Sequence, residues 1–252
     1  MSAPEGVQSS CREGALWLTI DRMDRANALD PQTIRTLHRS FAEPGDARMI
    51  VLTGAGDRAF CSGADLAGDV AEETARQFTD LLAAMDACPI PIIARVNGAV
   101  AGGGVGLICA SDMAIGVNTL SIATPEARLG LFPFMILPYL LRVSTQRTVA
   151  EMAFAGRRLG AAEAVQAGFL TRCVAPDDLD GEIDSLCTSI AAMGPQALRV
   201  GRAAFARCAF QGAGQAPFLK EAFVSLWNNE ESKEGRAAFR EKRTPQWIKT
   251  DR

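Results

Sequence analysis

Residues 90–96 (Ile-Pro-Ile-Ile-Ala-Arg-Val) form a nearly continuous apolar run. Shortly beyond it stand three consecutive glycines, Gly102, Gly103 and Gly104, and then the compact apolar stretch 107–110. Such a run reads as a strand buried in a sheet, and the glycines as a turn feeding a buried helix. Residues 48–53 repeat the theme as a short apolar strand followed by a glycine-rich loop over 54–68. Residues 14–21 partly alternate and read as a strand, as do residues 112–117. Between them, Asp30-Pro31 opens a helix with Asp30 as N-cap, and residues 72–87 read as a helix closed by Cys88-Pro89. Strands alternating with helices through residue 117 indicate an α/β architecture. Past residue 140 the pattern turns helical, over 145–155, 161–167, 178–193, 195–208 and 216–229, with 170–174 extended. The division expected is a core over residues 1–195 and a helical C-terminal region over 196–252.

Bulk properties exclude several classes. A net charge of -3 over 252 residues offers no reason to expect a nucleic acid or an anionic membrane as partner. No apolar run approaches the ~18 residues of a membrane span. Residues 1–10 lack the basic and apolar regions of a signal peptide and read as a frayed lead-in. The seven cysteines are scattered and never form a Cys-x-x-Cys pair. That argues against both a disulfide framework and a zinc site, and for reduced thiols in the cytoplasm. His38, the single histidine, falls on a predicted helix away from any nucleophile motif.

Three elements could carry chemistry. The glycine turn at 102–104 brings bare backbone to one place, where N–H groups at a helix N-terminus suit an oxygen gaining negative charge. The plainer reading is that these glycines only let a helix pack tightly on a strand. The loop over 60–66, Phe-Cys-Ser-Gly-Ala-Asp-Leu, also follows a buried strand, and two N–H donors from separate loops would make an oxyanion hole. The third element is Glu126, after Pro125 and near Leu129, Leu131, Phe132 and Phe134. Apolar neighbours raise a carboxylate pKa and improve it as a base near neutral pH. The alternative is a surface Glu paired with Arg128. Residues 54–59 match G-x-G-x-x-G/A, a weak dinucleotide signal, because a second turn rather than a helix follows the glycines.

Five segments taken in order resemble the crotonase superfamily, the enoyl-CoA hydratase/isomerase group. They are 21–29 (DRMDRANAL), 51–66 (VLTGAGDRAFCSGADL), 96–104 (VNGAVAGGG), 124–131 (TPEARLGL) and 234–243 (EGRAAFREKR). The resemblance implies a spiral of ββα units with a helical C-terminal trimerisation region, assembled as a homotrimer or homohexamer. It implies an acyl-CoA substrate, a role in fatty acid metabolism, and neither metal nor separate cofactor. By position it implies that the N–H groups of Ala64 and Gly103 hold the thioester oxygen and that Glu126 is the acid/base. Arg25, Ala26, Ala28, Asp65 and Leu66 align with segments that hold CoA. Phe239 and Lys242 match tail positions that reach CoA, often across a subunit boundary. A second glutamate, usual in hydratases, would stand at Gly106. Residues 131–135 (Leu-Phe-Pro-Phe-Met) replace a glycine-rich segment, which implies a bulkier, more apolar acyl pocket. Hydration of a 2-enoyl-CoA is the leading expectation. Δ3,Δ2-isomerisation by Glu126 alone is the close alternative, and a non-catalytic acyl-CoA binder a further one.

Overall fold

The computed structural model of the chain describes residues 6–64, 71–129, 131–211 and 230–248. In chain order the elements begin with β1 (Val7–Arg12), β2 (Ala15–Ile20), α1 (Pro31–Ala42), β3 (Met49–Gly54), β4 (Ala59–Cys61) and α2 (Ala71–Ala87). Next come β5 (Ile92–Val96), β6 (Ala99–Ala101), α3 (Gly103–Ala110), β7 (Met113–Val117) and β8 (Ser121–Ala123). The later elements are α4 (Leu137–Val143), α5 (Gln146–Ala155), β9 (Arg158–Gly160), α6 (Ala161–Gln166), β10 (Arg172–Val174), α7 (Leu179–Ala191), α8 (Pro195–Gln211) and α9 (Glu230–Glu241).

The strands form two sheets. One has the order β1-β2-β3-β5-β7-β10, antiparallel only at β1–β2. The other has the order β4-β6-β8-β9, parallel except at β8–β9. The winding follows from this order. β3 lies in the first sheet, β4 in the second, and α2 returns the chain; β5, β6 and α3 repeat the turn, and β7 and β8 begin it again. Register keeps successive turns in phase, with Val51 opposite Ile93 and Ile93 opposite Met113. A single bridge, Leu29 to Ala64, adds an earlier turn to the edge of β4.

Burial explains the winding. Met49, Ile50, Val51 and Leu52 of β3 are wholly buried, because helices and the second sheet cover both faces. Phe78, Leu81, Leu82 and Met85 form the buried stripe of α2 at i, i+3, i+4 and i+7. In α1 the Asp30 carboxylate accepts from the Thr33 N–H at 2.7 Å, the expected N-cap.

Three expectations change. Residues 7–10 belong to β1 rather than to a frayed lead-in; its sequence Val-Gln-Ser-Ser-Cys-Arg is polar because it is an exposed edge strand. The loop expected over 54–68 contains β4, and β6 lies in the turn before Gly102. The extended stretch at 170–174 narrows to β10. The helix expected over 216–229 lies outside the described residues. The other C-terminal helices appear within a few residues of their expected limits.

Arg202 of α8 ties the C-terminal layer to the core. Its guanidinium is buried, pairs with Asp112 at 2.7 Å, and donates to the carbonyls of Met85, Asp86 and Cys88 at the end of α2. A cation there satisfies carbonyls that the helix leaves unpaired.

Candidate active site

Two buried asparagines set the corners from which the site is built. Asn97, just after β5, accepts from the Gly54 N–H at 3.2 Å and donates to the carbonyls of Gly54 and Gly56 at 2.9 and 2.6 Å. It thereby locks the end of β5 to the end of β3. Asn27 donates to the carbonyls of Ala55 and Ala59 at 3.0 and 2.7 Å, locking the N-terminal loop to the entry of β4. Neither residue carries a chemical signature in sequence. Each stands out only as a polar group flanked by apolar residues at a strand corner.

From these corners the loops after β4 and β6 run side by side. Gly63 has φ +99°, and a Cβ there would lie 3.0 Å from the backbone N of Gly103. Gly103 is the first residue of α3, and a Cβ on it would lie 3.6 Å from the backbone N of Ala64. The two backbone nitrogens therefore lie close together. Among the described residues no acceptor takes either of them. The Leu29 N–H bonds to the Gly63 carbonyl at 2.8 Å, so the strand-like pairing on that side leaves the Ala64 N–H turned the other way.

The three glycines divide the work. Gly102 has φ +52°, a conformation that side chains rarely adopt, and its missing Cβ would sit 3.3 Å from Glu126 Oε1. Gly104 answers to packing, since a Cβ there would overlap the Cys61 carbonyl and lie 2.9 Å from the Cys61 Cβ. The packing reading thus holds for Gly104, whereas Gly102 and Gly103 open space and donors toward the carboxylate.

Glu126 opens a 3-10 turn, Glu126–Leu129, directly after β8 and Pro125. Its own carbonyl accepts from the Leu131 N–H at 3.0 Å, which fixes the turn. The side chain is half-buried, and among the described residues its buried Oε2 has no hydrogen-bond partner. Desolvation pushes its pKa above the ordinary glutamate value. Arg128 does not neutralise it; that guanidinium reaches the Gly156 carbonyl at 3.4 Å instead. The Thr124 hydroxyl, two residues earlier, is also buried and unpartnered.

The wall beside these groups is apolar. The Phe78 ring tip would lie 3.1 Å from a Cβ on Gly103 and 3.5 Å from one on Gly106. A Cβ on Gly106 would also overlap Ile136 Cγ2 and lie 3.2 Å from the Ile136 Cβ. Ile136, at the N-terminus of α4, is 3% exposed. The room that a second carboxylate would use is therefore filled by a branched hydrocarbon. Two N–H donors, one desolvated carboxylate and a dry wall can stabilise an oxyanion next to a carbon whose proton is removed.

The remaining expected residues divide into three groups. Arg25, Ala26 and Ala28 lie next to the Ala64 loop: Ser62 N bonds to the Ala26 carbonyl at 3.1 Å, and Ser62 Oγ to the Arg25 carbonyl at 3.3 Å. A cavity of about 160 Å³ opens beside Ala26, between Met23, Asp57 and Arg58. Asp65 and Leu66 lie outside the described residues. Phe239 and Lys242 belong to α9 and the turn that ends it, where Lys242 is exposed with φ +54°. That helix is docked on its own chain at the α7–α8 junction, where Glu231 accepts from the N–H groups of Gln196 and Ala197. The stretch after the glycines of 54–59 is strand β4 and not a helix, so the dinucleotide pattern lacks its structural context. Among the described residues no three His, Cys, Asp or Glu side chains gather as a metal site, and no helix is long and apolar enough to cross a membrane.

Residues 11–250 match a family model described as enoyl-CoA hydratase/isomerase. The chain is 31% identical over 240 residues to YngF of Bacillus subtilis (strain 168), whose name carries enoyl-CoA hydratase/isomerase as a provisional assignment. That match covers 90% of this chain and 91% of the relative. Among solved structures, an enoyl-CoA hydratase of Mycobacterium smegmatis superposes with a TM-score of 0.91 at 29% identity, covering 96% of this chain and 98% of that one. Human enoyl Coenzyme A hydratase domain-containing protein 3 superposes at 0.90 and 26% identity, covering 96% and 100%.

Proposed function

Since the chain belongs to the enoyl-CoA hydratase/isomerase family, we propose that it moves a proton along the acyl chain of an enoyl-CoA thioester, with Glu126 as the sole acid/base. The thioester oxygen is held by the N–H groups of Ala64 and Gly103. Glu126 takes a proton from the α-carbon of a 3-enoyl-CoA, and the released pair spreads onto that oxygen as a dienolate. The protonated Glu126 then returns a proton to the γ-carbon, which leaves a conjugated 2-enoyl-CoA. No atom is gained or lost, and the step calls for no metal or redox cofactor. Two donors matched to the developing charge stabilise it, each contributing ~10²–10³ in rate.

The observation that favours isomerisation over hydration is the apolar filling beside Gly106. Water must be held and deprotonated to attack the β-carbon, and among the described residues Glu126 is the one carboxylate placed beside Gly102. Hydration of a 2-enoyl-CoA is the second reading, favoured by the names of several solved relatives. Arg25, Ala26 and Ala28, with Asp65 and Leu66, would hold the CoA portion. Phe239 and Lys242 would close over CoA, from the same chain or from a neighbour in a trimer or hexamer.

The deciding experiment offers purified protein a 3-enoyl-CoA and a 2-enoyl-CoA and follows the absorbance of the conjugated thioester. Isomerisation raises it with the first substrate; hydration lowers it with the second. If Glu126→Gln retains full activity with either substrate, the carboxylate has been wrongly assigned.

A further inference from the structure

We propose that Ile136 is the specificity-determining residue that confines this site to proton transfer, an inference that rests on the isomerase reading above. Gly106 lies on α3, four residues and about 6 Å along the axis from Gly102, the residue that precedes the helix. Gly102 faces the Glu126 carboxylate, and Gly106 faces Ile136, one turn further into the protein. The Phe78 ring tip spans the same turn, between Gly103 and Gly106. Ile136 and Phe78 are 3% exposed each, so this floor is dry and packed.

Gly106 and Ile136 interlock through one methyl group. The atom that a Cβ at position 106 would overlap is Ile136 Cγ2, and the Ile136 Cβ follows at 3.2 Å. The absence of a side chain at 106 is thus matched by the presence of a branched one at 136. A change at either position alone leaves a clash or a void. Ile136 is fixed in turn by α4, where its carbonyl accepts from the N–H groups of Tyr139 and Leu140 at 3.0 Å each. Ile136 and Glu126 are carried by the same connection between β8 and α4, so one segment supplies both the base and the floor beside it.

In this proposal the packed floor leaves no room for a water beside the acyl carbons, so the proton that Glu126 takes returns to the substrate. Removing Cγ2 opens room for a water. Its oxygen can then bond to the β-carbon of a 2-enoyl-CoA while the π pair moves to the α-carbon. One proton of the same water ends on the α-carbon, so the net change is addition of one H₂O.

Four variants test this: Ile136→Ala, Ile136→Val, Gly106→Ala and the double variant Gly106→Ala/Ile136→Ala. Each is assayed with both enoyl-CoA isomers in H₂¹⁸O, with thermal midpoints measured alongside. Valine keeps Cγ2, so Ile136→Val should isomerise without incorporating ¹⁸O. Ile136→Ala should raise the ratio of hydration to isomerisation by roughly tenfold or more, the scale at which about 1.4 kcal/mol separates two paths. Gly106→Ala should lose activity and lower the thermal midpoint, and Ile136→Ala in the same chain should restore the midpoint.

A wild-type chain that isomerises, with Ile136→Ala and Ile136→Val incorporating ¹⁸O equally or not at all, overturns the role of Ile136 and leaves the isomerase reading standing. A wild-type chain that hydrates efficiently overturns both. If the wild type turns over neither substrate, the isomerase reading and the role of Ile136 in it both fail. If Ile136→Ala does not fold, the Gly106→Ala midpoint decides the interlock: a midpoint equal to wild type overturns it, and a lowered one supports it.

Discussion

At the first turn of α3 the N–H groups of Gly103 and, from the neighbouring loop, Ala64 meet no acceptor among the described residues, and a desolvated carboxylate stands beside them. At its last turn, roughly 6 Å further along the axis, carbonyls are taken up by the protein. The Leu107 carbonyl accepts from Ser111 Oγ at 2.9 Å, and the Cys109 carbonyl from Arg142 Nη2 at 2.7 Å. Arg142 is itself paired with Asp86 at 2.9 Å, and Arg202 repeats the device for the end of α2. One helix thus has an end satisfied by the protein and an end whose N–H the described residues leave open. An unsatisfied buried group costs about 1–3 kcal/mol, so the site end is a local deficit that the filled ends help the fold to sustain.

Substitutions at the two ends should separate activity from stability. The largest effect is expected from Glu126→Gln, which removes the base and should lower kcat by ~10²–10⁴. The same change should raise the thermal midpoint at neutral pH. The sign follows from linkage: the folded pKa of Glu126 is raised, so the folded state holds the proton more tightly, and the penalty grows as pH rises past the ordinary glutamate pKa and is complete above the raised one. Its penalty disappears as pH falls below the ordinary glutamate pKa. Melting curves of both proteins across acid and neutral pH should therefore converge at the acid end. In the wild type, kcat should fall as pH drops through the raised pKa, because only the carboxylate form can accept a proton.

Arg202→Met is the opposite case. It should cost about 3–5 kcal/mol of stability, read by chemical denaturation, with kcat per folded molecule unchanged. A large loss of kcat there would mean that the filled end also serves the chemistry. Gly102→Ala comes next. Its Cβ needs φ +52° and would crowd Glu126 Oε1 at 3.3 Å, so kcat should fall by roughly 10–10² through misplacement of the base, with KM changed little. The smallest effect is expected from Arg142→Met, which removes a charged donor from the Cys109 carbonyl. Stability should drop by about 1–2 kcal/mol in a urea titration, with kcat close to wild type.

The legible parts of this chain were those that announce themselves in apolar pattern. β3 and β5 are runs of hydrophobic residues because both faces are covered, and Asp30 with Pro31 marks a helix start by local chemistry alone. The second sheet stayed hidden because β4, β6 and β8 are three residues each, too short for a period of two to register. α4 is short, seven residues, and its Pro138 occupies the first turn, where no N–H is required, so its apolar pattern alone does not mark it as a helix. In the site, the glycines and Glu126 were visible as residue types. That Arg128 turns to Gly156, leaving Glu126 without an ion pair among the described residues, depends on packing that no local spacing encodes. Ile136 was invisible for the same reason: its meaning comes from Gly106, thirty residues earlier in the chain. Asn27 and Asn97 hold the corners through contacts with strands far along the chain.

The spiral gives these groups a common address. Ala64 comes three residues after β4, Gly103 two after β6 and Glu126 three after β8. The three strands are neighbours in one sheet, so three successive coils each deliver one of the proposed site groups at the same phase. Such an arrangement behaves like a combination lock with aligned dials. Lengthening or rewriting the loop on one coil changes a single digit, while the strands beneath keep the others in register. The loop after β8 carries both Glu126 and Ile136, so the proposed base and its floor sit on one dial, which turns cleanly only when Gly106 on the neighbouring coil turns with it.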